Sequence, residues 1–464
     1  MEPEQERSKL WLWVTLGIVL VLVLVFAYFL TLGKSTPVGE TIGKVLPFGQ
    51  LGDETPRDPI SGGGDINANN PDNTGGNTGV DAPEPIFRQL AARAVSGAYP
   101  VSVGEDQHVR YIEKETGHAY EVRIKDGATR QLTNTTIPRI YEAYWGFGGN
   151  AVVLRYLEED ALSRKDVIKT NLGYLSLPSA SSSDAIGTML IEFLPDDILS
   201  VSVSPSGKKL FYMVRTTEGV SGSIVDLQTK NTKEVFRNAF SEWLPELLDS
   251  GDIILSTKPS GEVPGHAYLY NPDSKKIERM VRNKNGLTTK GNSNGSRIFF
   301  AENVARSLIF GVYDKKGFAG DEGEVRYENV LSISTLPEKC AWKANGIGAV
   351  CGAFTGLPSK LIPDDWYQGT FAFDDTFWSV DTNANEIAYL ADPIDETKQE
   401  FDVVAPLLSL DEHYFVFINK TDSTLWSMRI VEPVSEEVIP DAPVEIPLDL
   451  SPEELKDAQA SINP

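Results

Sequence analysis

One pentapeptide of this sequence matches a known nucleophile pattern. Residues 291–295 read GNSNG, the G-x-S-x-G spacing that in α/β-hydrolases holds a reactive serine on a sharp turn between a strand and a helix. Here the apolar run that follows, at 298–300, is typical of a strand, and the Asn, Ser and Gly content is typical of a hairpin turn. We therefore interpret the pentapeptide as a turn, and the sequence predicts no catalytic residue.

The two cysteines, Cys340 and Cys351, are the second candidate for covalent chemistry. They flank residues 343–348, a glycine-containing sequence typical of a hairpin turn, so the two side chains could face each other on adjacent antiparallel strands. Outside the cytoplasm such a pair can oxidise if the Cα atoms come within about 7 Å. We predict a disulfide; the alternative is a pair of buried free thiols that serve as small apolar side chains.

The densest combination of acidic and aromatic residues lies between positions 361 and 378. Aromatic side chains are enriched in binding interfaces, so this segment is a candidate binding patch. The alternative is that the aromatic rings pack between blades and the aspartates cap turns. The predicted patch comprises Asp364, Asp365, Trp366, Tyr367, Asp374, Asp375 and Trp378.

The balance of charge restricts the classes of partner. The 464 residues include 66 acidic and 42 basic side chains, which gives a formal charge of -24. Because nucleic-acid binding depends on basic side chains that neutralise phosphates, we expect no nucleic-acid partner. The two cysteines and four histidines lack the spacing of a zinc site, and the aspartate pairs lack that of a calcium loop. We therefore predict neither a metal nor a cofactor.

An uncharged apolar run occupies residues 10–32 and reads LWLWVTLGIVLVLVLVFAYFLTL. As a helix it would extend roughly 35 Å, enough to cross a hydrocarbon core of about 30 Å. A cleaved signal peptide is the alternative, but its apolar region is shorter, about 7–15 residues, and is followed by a small-residue cleavage site. We therefore predict a single-pass membrane anchor at 10–32.

The composition on either side of the anchor suggests how the chain is arranged. We expect residues 1–9 in the cytoplasm and the bulk of the chain outside the cell membrane, although the positive charges flanking the anchor differ little between its two sides. Residues 33–85 are rich in Gly, Asn, Asp and Thr, and such a segment cannot bury enough apolar surface to fold, so we predict a flexible linker. Residues 432–464 are acidic and rich in proline, and we predict a disordered tail.

Residues 86–431 form the predicted folded domain. Short apolar runs rich in Val, Ile, Phe and Tyr alternate there with polar turns, which indicates strands rather than helices. The units recur at intervals of roughly 40–50 residues, the period of propeller blades. A polar turn that leads into an apolar strand is found at 204–214, 292–300 and 409–417, with looser copies at 148–154 and 249–255.

This repeat predicts an all-β fold, a β-propeller of about seven blades. A radial array of four-stranded blades buries the faces of each blade against its neighbours and leaves only short edges. A pair of β-sandwiches also uses short strands at regular spacing and is the alternative, but the repeated turn and strand favours the propeller. The predicted units begin near Val95, Ile140, Leu199, Phe240, Leu287, Cys340 and Val403.

Two features carry a resemblance to a known family. The Ser-Pro-x-Gly-Lys-x-Leu turn and strand at 204–210, and the Leu-Trp-Ser of 425–427, resemble the repeats of TolB-like propellers. The spans 108–145, 339–342 and 363–367 are similar to membrane-anchored propeller proteins of small-genome bacteria whose function is not established. The resemblance implies a propeller fold for most of the body, and it implies no activity because fold does not fix function.

The leading functional hypothesis is a non-enzymatic protein-binding or scaffold module, held outside the cell membrane on a flexible tether. Its partner would be an envelope protein, a peptide or a glycan, and its anchor would contact the membrane. The alternative is an enzyme, a lyase or a glycan hydrolase, whose carboxylates meet at the central channel of the propeller. Two Asp or Glu side chains about 5–10 Å apart in a central pocket would support that alternative.

Overall fold

The computed structural model describes residues 84–160, 164–178, 186–196, 198–304, 307–319, 325–354 and 361–431. The predicted cytoplasmic segment 1–9, the anchor 10–32, nearly all of the linker 33–85 and the tail 432–464 lie outside these ranges. Within the ranges that are described, no helix is both long enough and apolar enough to cross a membrane.

The strands of the described residues form seven antiparallel sheets of four strands each. Blade one contains β2 (Val95–Val103), β3 (Asp106–Glu113), β4 (Ala119–Arg123) and β5 (Thr129–Gln131). Blade two contains β6 (Ile140–Gly146), β7 (Ala151–Glu159), β8 (Asp166–Ser176) and β9 (Thr188–Phe193). Blade three contains β10 (Ile198–Val203), β11 (Lys209–Thr216), β12 (Gly219–Asp226) and β13 (Thr232–Asn238). Blade four contains β14 (Trp243–Leu247), β15 (Ile253–Thr257), β16 (Pro264–Asn271) and β17 (Lys276–Asn285).

The remaining three blades follow the same order along the chain. Blade five contains β18 (Thr288–Gly291), β19 (Arg297–Val304), β20 (Ser307–Ala319) and β21 (Val325–Leu331). Blade six contains β22 (Cys340–Trp342), β23 (Gly348–Phe354), β24 (Asp375–Asp381) and β25 (Glu386–Ala391). Blade seven contains β26 (Val403–Leu408), β27 (Tyr414–Asn419), β28 (Leu425–Arg429) and β1 (Phe87–Ala91). Two short helices are present, α1 (Asp364–Tyr367) and α2 (Pro393–Thr397).

The seven sheets are the blades of a β-propeller. In each sheet the strands pair in chain order from the first to the fourth, β1 taking the fourth place in blade seven. The first strands of neighbouring blades contact each other, as β2 does with β6 and β22 does with β26, so the first strands are innermost. The predicted all-β propeller of about seven blades is confirmed, and Val95, Ile140, Cys340 and Val403 are the first residues of their blades.

The N-terminal strand closes the ring. β1 pairs in antiparallel register with β28, with Phe87 opposite Met428 and Arg88 opposite Ser427, and so supplies the outermost strand of blade seven. Phe87 is buried against Phe377 and Phe401, at ring-centroid distances of 5.4 and 6.0 Å. One blade is therefore built from both ends of the described chain.

The two ends of the propeller are built from different connections. At one end lie the turns between the first and second strands of each blade; we call this the hairpin end. At the other lie the connections between the second and third strands, including residues 361–374 of blade six, which we call the insertion; we call this end the insertion end. Innermost strands begin at the insertion end, because each runs from there to its hairpin turn.

The recurring polar turns of the sequence form a ring at the hairpin end. Successive turns hydrogen-bond to one another, and this explains why they need Ser, Asn and Gly rather than bulky side chains. Gly207 and Gly295, both with φ of +68°, occupy the left-handed conformation that glycine adopts without strain. The contacts are Phe147 N to Gly207 O (2.6 Å), Ser206 N to Asp249 Oδ1 (2.8 Å), Asp249 N to Ser293 O (3.1 Å) and Asn292 Nδ2 to Gly346 O (2.9 Å).

The hydrophobic core lies between the blades. Phe211 and Met213 of blade three, for example, are fully buried against Leu247, Ile253 and Leu255 of blade four. Each such side chain contributes about 1.5–3 kcal/mol relative to an exposed one. Successive side chains of a strand point to opposite faces of its sheet, so each blade has two apolar faces. A β-propeller requires both faces to be apolar, because each packs on a neighbouring blade.

Candidate functional site

The insertion of blade six lies over the insertion end of the propeller. Its helix α1 is fixed to blade four, because Asp364 Oδ2 accepts a hydrogen bond from the backbone nitrogen of Gly261 at 2.5 Å. Asp365 Oδ2 accepts from the backbone nitrogen of Leu361 at 2.7 Å and so closes the first turn of the helix. A side chain at Gly261 would collide with Leu361, so the two segments are in direct contact.

A buried ion-pair cluster lies beneath the insertion. Lys339, just before β22, places its ammonium 2.7 Å from Asp375 Oδ2 and also contacts Asp402 Oδ1, and all three side chains are fully buried. Its nitrogen further donates to the carbonyl oxygen of Val403 at 3.2 Å. Trp366 of α1 donates its indole N–H to both oxygens of Asp402. The cluster joins blades six and seven to the insertion.

The electrostatics of this cluster follow from its burial. Burial raises the pKa of Asp375 to about 7, although Lys339 acts in the opposite direction. Burial also opposes the charge of Lys339, but Asp375 and Asp402 outweigh it and leave the pKa of the lysine raised. Lys420 lies 5.2 Å from the centre of the Trp366 ring, and burial lowers its pKa. The cluster therefore has the properties of a structural ion-pair network.

Two residues of the predicted binding patch are not at the surface. Trp366 and Asp375 are fully buried, so neither side chain can contact a partner. Trp366 packs with Phe373 in the core, and Asp375 pairs with Lys339, an ion pair that the sequence analysis did not predict.

The other members of the predicted patch are dispersed. Asp364 and Asp365 hold α1 to backbone nitrogens outside the helix, and Tyr367 donates its hydroxyl to Glu338. Asp374 is exposed. Trp378, on β24, packs edge-on against Tyr389, with ring centroids 5.3 Å apart. These positions do not form one patch.

Cys340 and Cys351 are directly opposite each other in the pairing of β22 with β23. Their Cα atoms are 4.0 Å apart, their sulfur atoms are 2.10 Å apart, and both side chains are fully buried. The register and burial place the pair for a disulfide inside blade six.

The GNSNG pentapeptide forms part of the hairpin end. Gly291 ends β18, and the next five residues, 292–296, turn the chain into β19, where Arg297 begins the strand. The segment is thus strand, turn, strand, as the sequence interpretation predicted. In the parts of the chain that are described, no three His, Cys, Asp or Glu side chains are placed to hold a metal ion.

A second cluster of ionisable side chains lies at the axis. Glu246 on β14 accepts a hydrogen bond at Oε2 from the backbone nitrogen of Gly291 at 2.8 Å. Lys290 on β18 donates to the carbonyl oxygen of Cys340 at 2.7 Å. Glu338 precedes β22 and accepts from the Tyr367 hydroxyl. We call Glu246, Lys290, Glu338 and Tyr367 the axial cluster.

Burial perturbs every member of the axial cluster. It raises the pKa of Glu246 to about 7, against the effects of the Gly291 N–H and Lys290. It also raises the pKa of Glu338, and it lowers that of Lys290 although both glutamates oppose this. The pKa of Tyr367 lies well above its usual value, again chiefly through burial. Such perturbed groups at a propeller axis are candidates for function.

Sequence reasoning missed the axial cluster. The signal that could have found it is a single charged residue between apolar or small residues at the start of a blade, as in LPELL at 244–248 and TTKG at 288–291. Side chains in innermost strands face either a neighbouring blade or the axis, so a charged side chain on such a strand lies in one of these two places.

The insertion end also presents exposed apolar side chains. Val263, Val304 and Leu361 are 57%, 47% and 41% exposed. Val263 and Leu361 lie in the second-to-third-strand connections of blades four and six, and Val304 is the last residue of β19, where the corresponding connection of blade five begins. These connections contact each other, since Asn303 Nδ2 donates to the carbonyl oxygens of both Gly261 and Ile362. We call Val263, Val304 and Leu361 the apolar rim.

No protein-family model matches the sequence, and no curated protein has a significant sequence match. Solved structures with a similar fold include the tricorn protease, with a TM-score of 0.44 and 10% identity over 76% of this chain and 34% of that one. They also include oligogalacturonate lyase from Vibrio parahaemolyticus, with a TM-score of 0.43 and 9% identity over 74% and 99% of the two chains. TolB from Acinetobacter baumannii has a TM-score of 0.34 and 11% identity over 72% and 78%. The chain thus corresponds to about a third of the tricorn protease.

Proposed function

We propose that this protein is a membrane-anchored, extracytoplasmic propeller that binds another protein of the cell envelope at its insertion end, without catalysing a reaction. The apolar rim is the observation that carries the proposal. Three exposed aliphatic side chains on adjoining connections offer the apolar surface that protein interfaces cover.

The packing beneath the rim supports a binding surface of fixed shape. α1 is held to blade four through Asp364, and Trp366 is held to blade seven through Asp402. A surface that is already ordered loses little conformational entropy when a partner docks. The insertion therefore supplies a preformed platform for the rim.

The position in the envelope rests on the sequence. The apolar run at 10–32 would hold the chain in the membrane, and a buried pair of opposed cysteines is suited to an oxidising compartment. Crosslinking in intact cells followed by affinity purification of the full chain tests the proposal. We expect one envelope protein to be recovered, and we expect Val263→Asn with Leu361→Asn to reduce its recovery.

The matched control is Leu410→Asn, because Leu410 is 62% exposed in a first-to-second-strand turn at the hairpin end. Loss of the partner with the rim variant and not with the control supports the proposal. Equal recovery with wild type and both variants contradicts it, as does the absence of any recovered protein.

The second candidate function is a propeller-type enzyme, a lyase or a glycan hydrolase. The observation that favours it is that Glu246 and Glu338 flank Lys290 at the axis, with raised pKa values suited to proton transfer. Turnover of glycan substrates by the wild-type chain, abolished by Glu246→Gln, would favour the enzyme over the binding module.

A further inference from the structure

The buried ion-pair cluster contains the groups that can form an amide bond. Lys339 Nζ lies 2.7 Å from Asp375 Oδ2 and also contacts Asp402 Oδ1. An amine and a carboxyl group condense most readily when they are held in contact and bulk water is excluded. All three side chains are fully buried, so the cluster meets both conditions.

The surrounding backbone holds the three groups in place. Lys339 comes directly before β22 of blade six, and its nitrogen also donates to the carbonyl oxygen of Val403 at 3.2 Å. Asp402 comes directly before β26 of blade seven, and its backbone nitrogen donates to Asn419 Oδ1 at 3.1 Å. Asp375 begins β24, and its Oδ2 accepts from the backbone nitrogen of Val403 at 2.8 Å. Groups held in reacting orientation in one molecule have effective molarities of about 10⁵–10⁸ M.

The two carboxylates have different surroundings and therefore suit different roles. Both oxygens of Asp402 accept from the indole nitrogen of Trp366, at 3.0 and 2.9 Å. A donor in this position stabilises the negative charge that develops on oxygen in a tetrahedral intermediate. Asp375 Oδ1 is buried and has no hydrogen-bond partner among the described residues, so it can take up a proton without losing a contact. Asp402 is thus suited to accept the amine, and Asp375 is suited to act as the acid–base group.

We propose that Lys339 and Asp402 form an isopeptide bond, an amide between their side chains, and that Asp375 transfers the protons. The bond would join blade six covalently to blade seven beneath the insertion. This inference goes beyond the proposed function, because the chain modifies itself once and neither a partner nor a substrate takes part. The ion pairs of the structure are the contacts from which the reaction starts.

The reaction conserves atoms and charge. Ionised Asp375 takes one proton from the ammonium of Lys339, and the lone pair of the resulting amine forms a bond to Cγ of Asp402. The indole N–H of Trp366 stabilises the tetrahedral oxygen. The bond from Cγ to one oxygen then breaks, and its electron pair leaves with that oxygen. The oxygen takes one proton from Asp375 and one from the nitrogen and departs as water. One ammonium and one carboxylate become a neutral amide and a water molecule, and Asp375 is again ionised.

Burial favours the amide over the ion pair. The rings of Phe373 and Trp366 lie 4.7 and 5.2 Å from the nitrogen of Lys339, so the charges are held among apolar groups. Holding ions in such surroundings is costly, and the amide removes one charge of each sign. Burial raises the pKa of Asp375 to about 7, whereas the lysine acts to lower it. Loss of the charge of Lys339 therefore leaves the pKa of Asp375 raised in the bonded chain.

Peptide mapping of the full chain tests the inference. The chain is purified in detergent micelles, reduced, alkylated and digested with trypsin, which does not cleave after an acylated lysine. We expect a branched species in which peptide 327–343 is joined to peptide 399–420, with a mass lower than their sum by that of one water molecule. Fragmentation by mass spectrometry should place the link between Lys339 and Asp402. Recovery of 399–420 only as a linear peptide would overturn the inference.

Three variants test the roles of the side chains. Lys339→Arg keeps the positive charge but lacks the amine, so we expect no branched species. Asp375→Asn has nearly the same shape but cannot transfer the protons. Loss of an acid–base group slows a reaction on the order of 10²–10⁴-fold, so we expect the yield of the branched species to fall on the order of ten-fold or more. The matched control is Asp374→Asn, which changes the exposed neighbouring carboxylate and should give the wild-type yield.

The site of the link and its dependence on Asp375 decide the result. A link in the wild type and in Asp374→Asn that is lost in folded Asp375→Asn supports the inference; circular dichroism shows which variants are folded. A link from Lys339 to peptide 361–398, which contains Asp375, or an undiminished link in Asp375→Asn contradicts the assigned roles. If Asp375→Asn does not fold, the peptide map of the wild type decides alone. The proposed function fails separately, because recovery of the envelope partner depends on the apolar rim.

Discussion

Both carboxylate oxygens of Asp402 accept a hydrogen bond from the indole nitrogen of Trp366, at 3.0 and 2.9 Å. Asp402 comes directly before the innermost strand of blade seven, and Trp366 lies in the insertion of blade six. The contact therefore fixes the insertion to the wall of the propeller.

The ion-pair cluster makes a first prediction about stability. Lys339→Met leaves Asp375 and Asp402 buried without a cation, and removal of one partner from a buried pair costs about 3–5 kcal/mol. Urea unfolding of the full chain measures this loss. The control, Lys208→Met, changes an exposed lysine and should have little effect. An equal stability for the two variants would show that the cluster does not stabilise the fold.

A second prediction concerns Asp375 and pH. Its pKa is about 7 in the folded chain and ordinarily 3.8, so between these values the folded state holds a proton that the unfolded state has lost. Its contribution to stability is present below the lower pKa and is lost as the pH rises through the higher one. From pH 5 to pH 8 the loss is at most about 3 kcal/mol.

The variant Asp375→Asn cannot lose this proton. We expect its free energy of unfolding to change less between pH 5 and pH 8 than that of the wild type, as urea titrations at the two pH values would show. The raised pKa of Lys339 affects stability only at higher pH, outside this window. If the free energies of unfolding of the wild type and the variant changed equally between pH 5 and pH 8, the raised pKa would not belong to Asp375.

A third prediction concerns the cysteines. The opposed positions of Cys340 and Cys351 predict a disulfide in the chain isolated from cells. Closure of a loop with a sequence separation of 11 stabilises the fold by about 2–3 kcal/mol, so the double change Cys340→Ala with Cys351→Ala should lower the free energy of unfolding by this amount. Alkylation in denaturant without reductant, read by mass spectrometry, should modify neither cysteine. Full modification of both would show that the thiols are free.

A fourth prediction tests the closure of the ring by β1. Phe87→Ala removes a buried ring that packs on Phe377 and Phe401, and such changes cost about 3–5 kcal/mol. Gln89→Ala is the control, because Gln89 is exposed on the same strand. Thermal unfolding of both variants distinguishes them. Similar midpoints would mean that blade seven does not depend on its N-terminal strand.

The sequence predicted the blades well because turn chemistry is local. The polar turn at 204–208 and its copies mark the hairpin end of five of the seven blades, and these short motifs can be recognised without knowledge of distant residues. The pairing of β1 with β28 is not local and could not be predicted in this way. Its partner strand β28 lies more than 300 residues away, and nothing near Phe87 indicates that Met428 will be opposite.

The candidate site was predicted less well for the same physical reason. The acidic and aromatic residues of 361–378 are conspicuous in the sequence. The burial of Trp366 and Asp375, however, depends on their partners Lys339 and Asp402, which are 63 positions apart. Trp366 and Asp375 are core residues because of those partners. Glu246 and Lys290 have small or apolar neighbours, and only the radial arrangement of innermost strands brings them together.

The most direct test of the central claim is site-specific photocrosslinking in intact cells. A photoreactive residue at position 361, in the apolar rim, should crosslink one envelope protein, and the same residue at position 410, at the hairpin end, should not. Crosslinks from both positions in equal yield, or from neither, would contradict a binding surface at the insertion end.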